Sequence, residues 1–99
     1  MQVNNNEVYS IKISNGDELV AKLLSNDDLT FTVGNPLTVI PGPQGLQLMP
    51  SLFTADPDGE ITINISNISM IAVAHTDVRD RYIEATSGIT PVRNKVIMG

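Results

Sequence analysis

The sequence predicts an all-β fold, a strongly bent antiparallel barrel of five or six strands followed by one helix, Thr76 to Ser87. Two patterns predict it. Apolar and polar residues alternate with a period of two in one segment after another, which is typical of half-buried strands. Helical spacing occurs in a single stretch near the C-terminus. The 99 residues contain no cysteine, so we expect one domain with a modest core and no disulfide.

Residues 8–33 predict three consecutive antiparallel strands. An Asn-Gly pair at positions 15 and 16 separates the first two and predicts a tight type I′ turn, with positive φ at both residues. A polar corner at residues 25–28 separates the second and third. The apolar sets of the three strands are Tyr9, Ile11 and Ile13, then Leu19, Ala21 and Leu23, then Leu29, Phe31 and Val33.

The spacing in this region resembles the first motif of the Sm and Sm-like (LSm) family, and most closely that of its bacterial host-factor branch. The residues that carry the resemblance are Asn15, Gly16, Ala21, Leu23, Ser25 and Asp27. The sequence departs from the family at Ala21, where Gly is usual, and at Thr30 and Phe31, where eukaryotic members carry Met-Asn. The resemblance implies a small, strongly bent five-stranded barrel (an SH3-like barrel) that closes into a ring and binds RNA.

The middle of the chain predicts a long variable region at about residues 34–60. Residues 34–36 are expected to bend the chain, because Gly within a strand pattern marks a kink or bulge. Residues 46–53 are apolar on both alternating sides, which is expected of a segment buried on two faces or of an interface. Residues 56–59 predict a tight turn. A calcium loop would need a carboxylate eleven residues after Asp56, and Asn67 stands there.

The last two strands resemble the second motif of the same family. Ile61, Ile63 and Ile65 alternate with polar residues, Ser66 and Asn67 form a very short break, and Ile68–Val73 is apolar. The family usually carries Arg-Gly or Lys-His at this break, so the cation or imidazole is absent here. The amides of Asn64 and Asn67 can hydrogen-bond bases, and Asn67 can equally supply a turn.

The helix is predicted from a capping residue and an apolar face. Thr76 is expected to cap it, Asp77 suits the positive end of its dipole, and His75 is expected to be a boundary residue and not a base. The expected apolar face is Val78, Tyr82 and Ala85, flanked by Ile83 and ended by Gly88. The predicted organisation is therefore a flexible N-terminus (1–7), the barrel (8–75), the helix (76–88) and residues 89–99 as a tail, an extra strand or a docking arm.

Charge is unevenly distributed along the chain. Residues 1–78 hold two lysines against nine carboxylates, a balance of −7, and residues 79–99 have a balance of +2. An acidic body disfavours phosphate-driven nucleic-acid binding, which depends on clustered cations. The cations near the C-terminus are Arg79, Arg81, Arg93 and Lys95. They indicate either a solvated helix face with a loose tail or a cationic rim that meets RNA or an acidic partner.

We expect neither catalysis nor a cofactor. The sequence has one His, no Cys, and no catalytic triad, carboxylate pair or glycine-rich phosphate loop at a recognisable spacing. The N-terminus shows no signal peptide and no apolar run approaches the length of a membrane span, so a cytoplasmic location is expected.

Two functions of different classes follow. One is a ring that binds short single-stranded RNA, with the polar contacts Asp27, Asn64, Ser66 and Asn67 around a central pore. Phe31 is expected to point into the core and not to stack on bases. The other is a structural or assembly ring, for instance of a phage particle, without an RNA role.

The ring itself is predicted from the final strand. Ile68–Val73 is apolar on both faces, with Ile68, Met70 and Ala72 on one and Ile71 and Val73 on the other. Such a strand at a free edge would aggregate unless it were paired. Pairing it with residues 61–65 of the next copy gives a homo-oligomeric ring. The expected interface residues are Ile61, Ile63, Ile65, Ile68, Met70, Ile71 and Val73, and the resemblance implies five to seven subunits.

Overall fold

The computed structural model describes residues 2–56 and 59–87. They form six strands, one 3₁₀ turn and one α-helix. In chain order these are β1 (Val8–Ile13), β2 (Glu18–Asn26), β3 (Thr30–Gly42), β4 (Gly45–Pro50), β5 (Glu60–Asn64), the 3₁₀ turn Ile65–Asn67, β6 (Ile68–Val73) and α1 (Thr76–Ser87). The predicted mostly-strand fold with one C-terminal helix is confirmed. The predictions for Gly88 and for residues 89–99 lie outside the described residues.

All strand pairs are antiparallel. The order across the sheet is β4-β3-β2-β1-β6, and β5 adds to β3 on the side away from β2. On the side away from β2, the long strand β3 pairs with two strands: its residues 30–34 pair with β5 and its residues 37–42 pair with β4. The sheet has six strands, one more than the resemblance implies, because the variable region contributes β4. Within the described residues β4, β5 and β6 each have one neighbour, so the sheet is not closed.

The change of partner along β3 occurs at a bulge. Val20 of β2 pairs with Leu37 and Lys22 pairs with Gly34, so β3 carries one more residue than β2 between these two pairs. Asn35 takes a positive φ of 47° there. The predicted kink at residues 34–36 is confirmed, and the left-handed residue is Asn35, a residue type that tolerates this conformation.

The turn between β1 and β2 differs from the prediction. Gly16 alone in this loop has a positive φ, 97°. The Gly16 amide donates to the carbonyl of Ile13 (2.9 Å) and the Ile13 amide donates to the carbonyl of Asp17 (3.0 Å), which leaves a three-residue loop. The type I′ prediction was therefore wrong. Asn15 instead stabilises the loop with its side chain, whose Oδ1 accepts a hydrogen bond from the Asp17 amide (2.8 Å).

Two buried clusters lie on opposite faces of the sheet, because successive residues of β2 point to opposite faces. Ala21 belongs to the first cluster and Val20 to the second. The first cluster, here the inner core, is Tyr9, Ile11, Leu19, Ala21, Leu23, Phe31 and Val33. The second lies under α1 and is Val8, Val20, Val39, Ala74 and Tyr82. The helix therefore covers one face of the sheet.

Tyr82 ties α1 to the bulge. Its hydroxyl donates a hydrogen bond to the carbonyl of Gly34 (2.6 Å) and accepts one from the amide of Lys22 (3.1 Å). These two backbone groups belong to the residue pair at the edge of the bulge. Burial raises the pKa of the Tyr82 phenol, and the hydrogen bond from Lys22 partly offsets this. The neutral hydroxyl thus satisfies backbone groups of both β2 and β3.

The helix has the predicted bounds but a different cap. The Arg79 amide donates to the carbonyl of His75 (2.8 Å), and the Asp77 amide donates to His75 Nδ1 (3.2 Å). His75 is therefore the N-cap and Thr76 the first helical residue, which corrects the predicted cap and confirms His75 as a boundary residue. Tyr82 is buried as predicted and Val78 is half-buried, whereas Ala85 is exposed, so the apolar face extends less far along the helix than predicted.

Tyr82→Phe should lower the free energy of unfolding by about 1–3 kcal/mol, because it leaves the Lys22 amide and the Gly34 carbonyl without their shared partner. Urea denaturation measures this. Tyr9→Phe is the matched control, since the buried Tyr9 hydroxyl takes one hydrogen bond, from the Asn4 amide (2.7 Å). Tyr9→Phe should therefore lower the free energy of unfolding by less than Tyr82→Phe. Equal losses in the two variants would show that Tyr82 has no special role at the bulge.

Candidate interaction site

Asp27 organises the corner between β2 and β3. Its Oδ1 accepts hydrogen bonds from the amides of Leu29 and Thr30 (both 2.8 Å) and from the Thr30 hydroxyl (3.1 Å). The backbone bond from Leu29, followed by those from Thr30, lowers the pKa of the Asp27 carboxyl below its usual value. Asp27 is exposed, yet this oxygen is committed to the turn. The residue therefore shapes the corner as an ionised turn former.

The structure brings this corner next to the short break between β5 and β6. Thr30 pairs with Asn64 at the end of β5, and the Ile65 amide donates to the carbonyl of Leu29 (2.9 Å). Of the four predicted RNA contacts, Asp27 and Asn64 thus lie on neighbouring segments. This adjacency is what the predicted site requires.

Asn67 ends the 3₁₀ turn, and its carbonyl accepts a hydrogen bond from the Ser14 amide (2.7 Å). Its backbone therefore serves as the turn that was one of its two predicted roles. The side chains of Asn64, Ser66 and Asn67 are exposed. They can meet a partner, although no residue of this break is basic.

The predictions for two residues at the corner, Phe31 and Leu29, have opposite outcomes. Phe31 is buried in the inner core, so the prediction that it points into the core is confirmed. Leu29 was predicted to share that core, and this was wrong, since it is 76% exposed. The reason is that β3 begins at Thr30 and Leu29 lies in the turn held by Asp27.

A pocket of about 370 Å³ lies beside the corner. Asp27 and Phe31 line one side of it, and β6 lines the other with Met70. No lysine or arginine lines this pocket. Electrostatically, the site is acidic and apolar, and it lacks the cations that hold phosphates.

The outer edge of β6 is the second feature of this region. The Ala74 amide donates to the carbonyl of Val8 on β1 (3.1 Å). Because amides alternate in direction along a strand, those of Ile71 and Val73 lie on the side away from β1. Among the described residues no strand pairs with this side. The edge therefore presents unpaired backbone groups on a segment without charge or proline.

The alternation predicted for β6 was wrong at one residue. Lys12 pairs with Met70 and the next residue, Ile13, pairs with Ile68, so Ser69 is an extra residue in β6. This bulge turns Ile68 to the same face as Ile71 and away from Met70. Ile68 and Ile71 both pack against the inner core.

The seven predicted interface residues fall into two groups. Five are half-buried and pack against the inner core: Ile61, Ile63, Ile65, Ile68 and Ile71. The other two are open to solvent, Met70 at 69% and Val73 at 56%. The exposed apolar surface of β6 is therefore made by Met70 and Val73.

Leu52 and Phe53 belong to the segment 46–53 that the sequence predicted to be buried on two faces or to form an interface, and their exposure excludes burial on two faces for both. Phe53 is 75% exposed. They follow β4 in a stretch, residues 36–55, that has no charged side chain at all. That absence of charge was the signal available in the sequence, since loops on a surface are usually polar.

Of the four cations near the C-terminus, the structure describes two. Arg81 donates a hydrogen bond to the carbonyl of Leu46 (2.9 Å) and so links α1 to β4. Arg79 lies 3.8 Å from Asp80, and both are exposed. Arg93 and Lys95 lie outside the described residues. The two helix arginines fit the predicted solvated helix face, on which pairs of this kind contribute little to stability.

Residues 2–56 and 59–87 contain no cluster of three or more His, Asp or Glu side chains that could hold a metal ion. The same residues include no helix with the length and apolarity to cross a membrane. No family model matches this chain, and a search of curated proteins finds no match either.

Because its pKa is lowered, the Asp27 carboxylate should keep its turn bonds above its usual pKa and lose them as pH falls through the lowered value. The amide shifts of Leu29 and Thr30 in NMR spectra should therefore follow one titration with a midpoint below 3.8. Asp27→Ala should abolish this titration and speed hydrogen exchange at both amides. Asn15→Ala, in the turn between β1 and β2, is the control and should leave the titration and the exchange of both amides unchanged.

Proposed function

We propose that this protein is a non-catalytic assembly module that forms a closed homo-oligomeric ring through its strand edges. The observation that carries the proposal is the outer edge of β6. It is six residues long, uncharged and free of proline, and it leaves Ile71 and Val73 amides unpaired within the described residues. Natural sheets protect such edges or use them for pairing.

The second edge that the ring needs is that of β5. This strand pairs with β3 on one side, and among the described residues its other side has no neighbour. Pairing β6 of one copy with β5 of the next is a heterologous contact, which closes into a ring when the rotation fits. The pairing would continue the sheet from one subunit to the next around the ring, as the Sm-like resemblance implies.

The connection between the two edges supports the same proposal. A 3₁₀ turn of three residues separates β5 from β6, and β6 returns to pair with β1. The free edges of β5 and β6 therefore lie on either side of the same short turn, and in a ring each would pair with a different neighbouring subunit. The resemblance implies five to seven subunits for such a ring.

Ile71→Pro should convert the ring to monomers, because it removes an outward amide without removing a bond to β1. Ile71→Ala is the matched control, since it loses the same core packing but keeps the amide. We expect light scattering at tens of micromolar to give a ring mass for the parent and for Ile71→Ala, and a monomer mass for Ile71→Pro.

Met70→Lys tests the edge independently by placing a charge on it, and Ile83→Lys on α1 is its control. Rings that survive both Ile71→Pro and Met70→Lys would exclude this edge. A monomeric parent protein at these concentrations would end the proposal.

The second candidate function is binding of short single-stranded RNA at the same ring. One observation favours it: the Asp27 corner and Asn64 lie side by side, joined by the bond between the Ile65 amide and the Leu29 carbonyl. Exposed asparagine amides can read base edges there. The acidic corner argues that phosphate contacts contribute little, so assembly is the function that the geometry supports best.

Titration with short oligouridine and oligoadenine at low and moderate salt separates the two functions. An RNA ring should bind with an affinity that falls in Asn64→Ala and Asn67→Ala, and the assembly ring should show no saturable binding at moderate salt. Gln44→Ala, a polar change on the β3–β4 turn, is the control. Binding that is unchanged in both asparagine variants would exclude this RNA site.

A further inference from the structure

An uncharged arm projects from the sheet next to the free edge of β5. Residues 36–55 include the second half of β3, all of β4 and the loop that follows, and none of them is charged. Its loop exposes two large side chains, Phe53 at 75% and Leu52 at 52%. An exposed apolar patch of this kind is typical of an interaction surface.

The arm forms one wall of an apolar groove of about 350 Å³. Leu37, Leu48, Leu52 and Phe53 line it on the side of the arm, and Ile61 lines it on the side of β5. Leu52 and Ile61 also line the neighbouring cavity of about 250 Å³ that leads along β5 to Ile63. The groove is therefore continuous with the strand that the proposed ring uses as its acceptor edge.

The direction of strand pairing decides what reaches the groove. All strand pairs in this sheet are antiparallel. If β6 of a neighbouring copy adds to β5 in the same sense, the start of β5 at Ile61 lies opposite the end of that β6. The residue at that end is Val73, which is 56% exposed in the single chain.

We propose that Leu52 and Phe53 of one subunit form a clamp over Val73 of the next. This inference rests on the proposed ring and names the side chains that select the partner. The occupant of the groove is a second copy of this chain, because antiparallel pairing brings Val73 of that copy to Ile61 and because the groove continues the edge that the copy would join. Phe53 is the largest side chain of the clamp. Burial of its aromatic group therefore contributes most of the stabilisation that the clamp gives to the contact between subunits.

The absence of cysteine from the chain allows a direct test by cross-linking. Phe53→Cys and Val73→Cys proteins are prepared separately, mixed under conditions that exchange subunits, and treated with a short bismaleimide. The expected result is a covalent dimer that contains one copy of each variant, identified by mass spectrometry. Leu46→Cys mixed with Val73→Cys is the control, because Leu46 lies at the far end of the arm, and it should give no such dimer.

Phe53→Ser gives a second readout. It should raise the concentration at which the ring dissociates by about tenfold or more, as expected for losing the burial of one aromatic side chain. Ile40→Ser, elsewhere on the arm, should leave this concentration unchanged.

The outcomes separate the clamp from the ring. A ring of unchanged affinity in Phe53→Ser, or one that gives no mixed cross-link, overturns the clamp and leaves the ring in place. Cross-linking of Val73→Cys to itself in a dimer overturns both, because it shows β6 pairing with β6. A monomeric parent protein also overturns both.

Discussion

The hydroxyl of Tyr82 joins the C-terminal helix to the two strands that meet at the bulge of β3. A bulge lets one strand change partners, so β3 pairs first with β5 and then with β4. The cost of a bulge is a local break in the ladder of backbone hydrogen bonds. Tyr82 offsets that cost by bonding to Gly34 and Lys22 from a helix that follows the last strand. The Tyr82 hydroxyl therefore couples the position of α1 to the bend in β3.

The position of α1 determines which surfaces stay open. The helix covers the face that carries Val8 and Val20 and is held to β4 by Arg81. Among the described residues no strand pairs with the outer edge of β6 or with that of β5. Three of the exposed apolar side chains, Met70, Val73 and Phe53, lie at or beside those edges. A fold that covered its sheet fully would have no such surface for assembly.

The sequence predicts the strands and helix well, because alternation and helical spacing are local properties of the chain. Two of its errors come from local irregularities of the strands. The period of two placed Leu29 in the core, but Leu29 lies in the turn held by Asp27 and β3 begins only at Thr30. Alternation placed Ile68 on the same face of β6 as Met70, but the bulge at Ser69 turns Ile68 to the opposite face. Alternation cannot show an extra residue, because a bulge depends on the neighbouring strand.

The candidate site could be predicted only in part. The proximity of Asp27 and Asn64 was expected from the resemblance, and the structure places these residues on paired segments. The commitment of Asp27 to its own turn depends on distances of about 3 Å that no pattern contains. The sequence left residues 46–53 open between burial on two faces and an interface, because apolar residues on both alternating sides fit either, and the exposure of Leu52 and Phe53 excludes the first for these two residues.

Amide hydrogen exchange at β6 measures whether this edge pairs between copies. The outward amides of Ile71 and Val73 should exchange slowly at concentrations at which the ring forms and rapidly on dilution. The inward amides of Ala72 and Ala74 should stay protected at both concentrations, because they bond to β1. Rapid exchange of Ile71 and Val73 at every concentration, beside protected Ala72 and Ala74, would show that this edge does not pair between copies.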